Sequence, residues 1–446
     1  MELFLVLVLA IFVGILAGLL PGIGAGMVII SAYPILQKCD INTIFFFYIV
    51  LITTMQYYGS ISSIIFGVMG EPTSQPAVDN GHELFRRGLG DKTLATTATS
   101  SFIASLFGVL VFCVCAKYST FLIMFLSAIF KVSILTSVLL LLVATNKNKL
   151  FGIVLLLLGL VFGSAGSEIV PWINQVFPKY SVFDGGIPFS ALLTGFIVIP
   201  TLLSYSLESK PIPVFNSSSL DISFKSKIKN LLDFSYFTST LRGSIVGCVA
   251  GIIPGVSYTI SSNLAEMIEK FLNKKSNTNE ALTKNILSAE AANNAGSIVV
   301  LIPLLLFAIP IVPSEALIMS LVQANGFNYL TGLSFISKHF VIITFLLVFV
   351  NLINWFISGY CYKFIIDLYK FLGKYGYTLT LIGSTIIVLI TGYNDNQFLY
   401  TTYVLLISTI CGSLIKDTGT KMIFVFSFFV ASDLVPDFYR LYLTYF

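Results

Sequence analysis

Apolar residues run in long blocks along the whole chain, at 3–20, 23–36, 43–69, 94–116, 119–143, 150–170, 187–205, 243–268, 288–312, 315–335, 339–362, 376–393, 398–415 and 421–436. About 20 apolar residues carry a helix across the hydrocarbon of a bilayer. Several of these blocks are too short or too interrupted to cross alone, so the pattern predicts roughly 12 membrane segments. Helix is the expected element throughout, because backbone in lipid must close its own hydrogen bonds and nothing here alternates like a barrel strand. Composition narrows the picture further. Hydrophobic residues make up 56% of the 446 and charged residues only 10%, against about 25% charged in soluble proteins. That excludes a water-soluble globule and predicts an all-α, polytopic membrane protein. The N-terminal block lacks a basic flank, so Leu3 to Leu20 reads as a retained helix rather than a cleaved leader.

Self-similarity divides the chain. Gly18-Leu-Leu-Pro21-Gly22 recurs as Gly251-Ile-Ile-Pro254-Gly255, 233 residues on, and Gly59-Ser60-Ile61 recurs as Gly296-Ser297-Ile298, 237 residues on. Pro72 and Pro310, 238 apart, end the apolar runs that follow. Three matches in one order at nearly one spacing predict an internal duplication. Residues 1–205 form a first membrane repeat, 241–446 a second, and the polar stretch 206–240 a cytoplasmic linker too short to hold a core.

Charge then orients the halves. Lys38 is the single basic residue flanking the first Pro-Gly element, whereas Lys210, Lys225, Lys227, Lys229, Arg242, Lys270, Lys274, Lys275 and Lys284 flank the second. The bias reverses after the Gly-Ser-Ile runs, with Arg86, Arg87 and Lys92 in the first half against Lys338 in the second. Under the positive-inside rule, equivalent points lie on opposite sides of the membrane. The repeats are therefore expected to be inverted, with 210–229, 270–284 and 86–92 cytoplasmic and the second Pro-Gly element a re-entrant hairpin. The net charge of +4 is dispersed and indicates no nucleic-acid partner.

Pro-Gly inside a membrane helix removes a donor and frees backbone N–H and C=O groups. Such breaks are tolerated where they line a protein-enclosed cavity, as at the ion and substrate sites of transporters. Pro21, Gly22, Pro254 and Gly255 are accordingly candidate substrate-binding positions, the alternative for each pair being a packed kink. Gly59, Ser60, Ser62, Thr73 and Ser74 add hydroxyls and small residues suited to a carboxylate or Na+; helix packing is the other use of such residues. Glu290, Asn293, Asn294 and Ser297 recur at spacings of three and four and share one helix face. An ionisable group entering an apolar run suggests ion coupling, with a helix N-terminal charge as the alternative for Glu290.

Enzyme signatures are missing. His82 and His339 are the only histidines, and the six cysteines are scattered without a C-x-x-C pair, which suits buried small hydrophobes better than a metal or redox centre. Gly88-Leu-Gly90-Asp91-Lys92-Thr93 lacks the Gly-Lys adjacency of a phosphate-binding loop and reads as a basic cytoplasmic turn. No catalytic residue, resident metal or cofactor is expected, only Na+ or H+ as a coupling ion.

The run Gly70 to Leu94, GEPTSQPAVDNGHELFRRGLGDKTL, resembles the signature loop of the large membrane subunit (TctA) of the tripartite tricarboxylate transporters. Leu20-Pro21-Gly22-Ile23-Gly24, Tyr58-Gly59-Ser60-Ile61, Arg242-Gly243, Gly251-Ile-Ile-Pro254-Gly255, Glu290-Ala-Ala-Asn293-Asn294-Ala295 and Pro303-Leu-Leu follow that family's order. The resemblance covers most of the chain and is strongest over 14–108 and 240–312. It implies a multi-pass protein of the bacterial inner membrane, importing small organic anions such as di- and tricarboxylates on an ion gradient. A small membrane subunit (TctB-like) and a periplasmic solute-binding protein (TctC-like) are the implied partners. A transporter acting without a binding protein and a passive channel are the alternatives. The chain departs from the family pattern in places. The family's Asp-Gly-Tyr falls on Asn80-Gly81-His82, its Pro-Gly-x-Gly on Pro254-Gly255-Val256-Ser257, and its Leu-Gly-x-Pro-Gly on Phe307-Ala308-Ile309-Pro310-Ile311. These mark a divergent member, with less room for backbone approach to a ligand in the second half.

Overall fold

A computed structural model describes residues 2–19, 24–67, 72–119, 128–146, 148–165, 186–207, 234–252, 258–273, 277–360, 362–394, 397–415 and 418–445. Every regular element among them is helical. The first unit comprises α1 (Glu2–Leu19), α2 (Ala25–Leu36), α3 (Ile41–Phe66) and α4 (Gly90–Lys117). Beside them lie α5 (Ala128–Thr145), α6 (Lys149–Gly163), α7 (Phe189–Leu193) and α8 (Ile199–Leu207). The second unit comprises α9 (Phe234–Ile252), α10 (Tyr258–Leu272), α11 (Asn279–Val299), α12 (Leu301–Phe307), α13 (Pro313–Ala324) and α14 (Tyr329–Tyr360). The chain ends in α15 (Tyr362–Asn394), α16 (Phe398–Leu414) and α17 (Thr418–Tyr445).

Four helical stretches among the described residues are long and apolar enough to cross a bilayer: Ile41–Phe66, Ala77–Lys117, Asn279–Phe307 and Thr331–Ser358. Shorter apolar helices accompany them. Two of the four, α3 and the α11–α12 stretch, lie almost wholly inside the protein, whereas less than half of each of the other two is buried. The division follows from sequence. The helix α3 carries Thr53, Thr54, Gln56, Ser60, Ser62 and Ser63, all buried, and hydroxyls and amides are costly in hydrocarbon unless partnered.

Glycines set the central packing. A β-carbon on Gly18 would lie 2.7 Å from the Met55 carbonyl and 3.0 Å from the Gly59 nitrogen, and one on Gly14 would lie 2.9 Å from Cβ of Thr54. The contacts advance together along both helices, so α1 and α3 run parallel. In the second unit Gly243 abuts Ser288, Gly247 abuts Ala292, and a β-carbon on Gly251 would lie 2.9 Å from Cα of Gly296. By the same reasoning α9 and α11 run parallel. Between the units the direction reverses: Ser60 meets Glu290 while Ile64 meets Ile286 across Gly81. The helices α3 and α11 are thus antiparallel neighbours. Each is also covered from outside by a long helix, α3 by α14 through Thr54 and Asn354, and α11 by α4 through Asn294 and Ser101.

Both units end their inner helix on a left-handed residue. Gly67 closes α3 at φ 62°, and Ala308 closes α12 at φ 53°. Ala308 stands where the resembling family pattern has glycine, and among the described residues it is the one non-glycine at positive φ. That conformation costs a residue with a Cβ about 1–2 kcal/mol. Ala308→Gly is expected to raise stability by about 1 kcal/mol, offset in part by glycine's freedom in the unfolded chain. Thermal unfolding in detergent checks this, with Gly67→Ala, which also meets the His82 ring, lowering the midpoint. At the other end of α3, Asp40 caps Thr43. Burial opposes ionisation of Asp40, but hydrogen bonds from Thr43 and Asn42 outweigh it and hold the carboxyl below its ordinary range. Its capping is therefore retained at neutral pH and is lost as pH falls through that lowered value.

Two expectations are corrected. The stretch Gly70 to Leu94, read as a loop and turn, is helical over its described part, with a short turn at Pro72–Ser74 and wide helical turns at Ala77–His82 and Phe85–Leu89. Only Gly88, at φ 80°, kinks it before α4. The apolar run beginning at 288 is the latter part of a helix that begins at Asn279, capped by Thr278. Of the basic stretches assigned to one side of the membrane, 86–92 and 270–284 meet, and 210–229 lies outside the described residues. Arg87 Nη1 donates to the Asn277 carbonyl and to Asn279 Oδ1, each at 3.0 Å, and Lys92 lies over the Tyr236 ring.

Candidate functional site

The centre of the site is the crossing of α3 and α11. Ser60 Oγ donates to Glu290 Oε2, joining the two units between residues 230 apart. Glu290 lies three turns into α11, so the helix N-terminal reading of this residue is overturned. It is 1% exposed, and among the described residues Ser60 is the one side-chain partner of its carboxylate. An isolated carboxylate out of water is held ionised only by a nearby cation or further donors.

Around this pair the α11 face is assembled as its spacing predicts. Asn294 Nδ2 donates to Ser101 Oγ and to the Glu290 carbonyl, both at 2.9 Å, and Ser297 Oγ donates back to the Asn294 carbonyl. Asn293 is fully buried, and neither atom of its amide has a hydrogen-bond partner among the described residues. An unmet buried amide costs about 1–3 kcal/mol per group, so Asn293 is the polar group in the site with the most to gain from a ligand.

On the α3 side, Gly59 opens space for Ser74, whose Oγ would lie 3.5 Å from a β-carbon at Gly59. Ser62 is turned to backbone, donating to the Gly59 carbonyl at 3.0 Å and towards that of Gly18 at 3.4 Å. Thr73 Oγ1 is buried without a described partner, while its carbonyl accepts from Ser262 of α10 at 3.0 Å. Pro21, Gly22, Pro254 and Gly255 lie outside the described residues. The described ends of the flanking helices reach the crossing, since Gly18 abuts Gly59 and Gly251 abuts Gly296.

A narrow cleft of about 10 Å³, room for a water-sized group, adjoins Ser60. Its polar lining is Tyr57, Ser60, Thr97, Ser101 and Ser358. Thr97 and Ser101 of α4 and Ser358 of α14 were not among the residues picked from sequence. A signal was present: Thr93, Thr96, Thr97, Ser100 and Ser101 recur three and four apart in an apolar helix. Helical hydroxyls commonly bond the preceding turn, and Thr97 does so to Thr93. Ser101 instead turns outward to Asn294.

Towards the end bearing Arg87, the units are tied again. Asn80 Nδ2 donates to Glu266 Oε1 at 2.6 Å, and Glu266 also pairs with Lys270. Asn285 Nδ2 donates to Asn80 Oδ1 at 3.3 Å. Gly81 is wedged between Ile64 and Ile286, where a β-carbon would lie 2.7 Å from Cγ1 of Ile64. The stretch Gly70 to Leu94 is thus the joint at which the first unit docks on the second.

A buried carboxylate at the crossing of two antiparallel helices, beside a hydroxyl-lined cleft, is an arrangement that suits a membrane transport protein. The chain belongs to the Tripartite tricarboxylate transporter TctA family, whose profile matches residues 4–426. It is also similar to an uncharacterized 52.8 kDa protein in the TAR-I ttuC' 3'region of Agrobacterium vitis, 24% identical over 323 residues. That match covers 71% of this chain and 62% of the relative's length. No solved structure matches the chain.

Proposed function

We propose that the chain is the large membrane subunit of an ion-coupled, binding-protein-dependent importer of small organic anions, di- or tricarboxylates. The observation that carries this reading is the Ser60–Glu290 contact, which puts an ionisable group at the junction of two opposed helix units beside a polar cleft. We read those units as inverted repeats, on the shared order of their helices and the matched glycine crossings. Substrate carboxylates meet the N-termini of the half-helices α2 and α10 and the hydroxyls of Ser60, Ser62, Thr73 and Ser74. Glu290, Asn293, Asn294 and Ser297 hold Na+ or take up H+. The resident charge is supplied by the ion, because the cleft is lined by hydroxyl and apolar side chains alone. The partners are a small membrane subunit and a periplasmic solute-binding protein, in the bacterial inner membrane.

The test is uptake into proteoliposomes holding this chain and the small subunit. Labelled di- or tricarboxylate is expected to accumulate uphill only when binding protein and an inward Na+ or H+ gradient are both supplied. Flux that needs neither, and stops at equal concentrations, would make the chain a channel.

A further inference from the structure

We infer a second monovalent-cation site, one that takes Na+, at the break between α12 and α13. The chain leaves α12 at Ala308, runs non-helical through Val312 and re-enters helix at Pro313. Glu315, in the first turn of α13, is fully buried. Its Oε2 accepts from the Ile311 N–H at 2.6 Å and from the Val312 N–H at 3.3 Å. Its Oε1 is buried with no partner among the described residues. Ser314 is engaged elsewhere, in a 3.1 Å hydrogen bond with Tyr48 of α3.

A count of donors and acceptors identifies the ligand. No described N–H or O–H donates to the carbonyls of Ala308, Ile309, Pro310 or Ile311, and these residues are buried. Together with Oε1 of Glu315, the break therefore presents acceptors with no donor to meet them. A proton on Oε1 would satisfy that oxygen and at most one carbonyl. A hard monovalent cation satisfies a carboxylate oxygen and several carbonyls at once, and broken membrane helices bind Na+ with such groups. The negative charge of Glu315 balances the ion, and the two backbone donors on Oε2 hold the carboxylate on the break. The site is separate from Glu290, which lies on α11, whereas Glu315 lies on α13. It depends on the proposed transport function only for what the ion does, since binding can be measured without transport.

The experiment uses the full chain in lipid nanodiscs and radioactive sodium as the probe, in choline chloride at pH 8. Glu290→Gln is expected to retain a sodium-binding component, which Glu315→Gln in that background weakens at least tenfold. Glutamine keeps an oxygen for the Ile311 and Val312 N–H groups, so the cap is preserved. An affinity unchanged within twofold by Glu315→Gln would overturn the site. Wild-type protein supplies a second reading that needs no variant. Amide exchange of Ile311, Val312 and Ser314 is expected to slow at least threefold when Na+ replaces choline, and exchange indifferent to Na+ would also overturn it. Absence of any sodium binding by the Glu290→Gln protein, with gradient-driven carboxylate uptake by the wild type intact, would refute this site and leave the transport reading standing.

Discussion

Glu290→Ala is expected to reduce gradient-driven uptake about a hundredfold, the scale of losing a buried hydrogen bond to a charged group at the point of coupling. Ser60 then faces a cavity in place of its acceptor, and the two units lose their link at the centre. The more telling variant is Glu290→Gln. Glutamine still accepts from Ser60, so the crossing of α3 and α11 is kept, but it carries no charge and takes up no proton. Exchange of labelled for unlabelled substrate at equal concentrations is expected to survive, while uphill accumulation on an ion gradient is lost. If the glutamine variant accumulates substrate as the parent does, Glu290 has no part in coupling. Assays at a series of pH and Na+ values would then say which ion the carboxylate meets.

The largest structural effect is expected at the glycines between α9 and α11. Gly247→Val would drive a β-carbon into the Ala292 carbonyl, with Cα of Ala292 only 2.7 Å away. Backbone cannot rotate aside as a side chain can, so the helices must separate. Overpacking of this kind costs about 3 kcal/mol, a large share of the stability of an ordinary domain. The parallel register of α9 on α11 also sets Gly251 against Gly296. The variant is therefore expected to lower the thermal midpoint sharply and reduce the yield of monodisperse protein. Gly383→Ala, at a helical glycine with nothing within 4 Å of its added carbon, is expected to leave both unchanged.

Much of the helical framework was legible because lipid leaves few alternatives to helix, and apolar blocks mark where it is needed. Their ends were not. The helix α11 begins nine residues before its apolar run, since Asn279, Glu280 and Lys284 form a capped, ion-paired first turn that hydropathy does not register. The stretch Gly70 to Leu94 reads as loop from its Gly, Pro and Ser content. Tertiary packing overrides that propensity by inserting Gly81 between Ile64 and Ile286.

In the site, the face of Glu290, Asn294 and Ser297 followed from spacing alone, because residues three and four apart share a helix side. That Glu290 would find Ser60 could not be read, since it depends on how two distant helices cross. Thr97, Ser101 and Ser358 were missed for a related reason. Hydroxyls in a membrane helix serve local carbonyls and distant partners equally well, and only the fold separates Thr97, bonded to its own helix, from Ser101, bonded to Asn294.

Trp355 occupies a telling position in this arrangement. It is one of two tryptophans in the chain, stacked on Phe102 at 5.1 Å and donating to Thr99 Oγ1 at 3.4 Å. Ser358, one turn further along α14, lines the cleft, and so do Thr97 and Ser101, which flank Thr99. The indole therefore senses both walls of the cleft through groups it touches or adjoins. A solute that shifts α4 against α14 alters the polarity around that ring, so its fluorescence reports on the cleft without a label. Quenching or shift of that emission on adding a carboxylate is thus a label-free test of whether a solute enters the cleft.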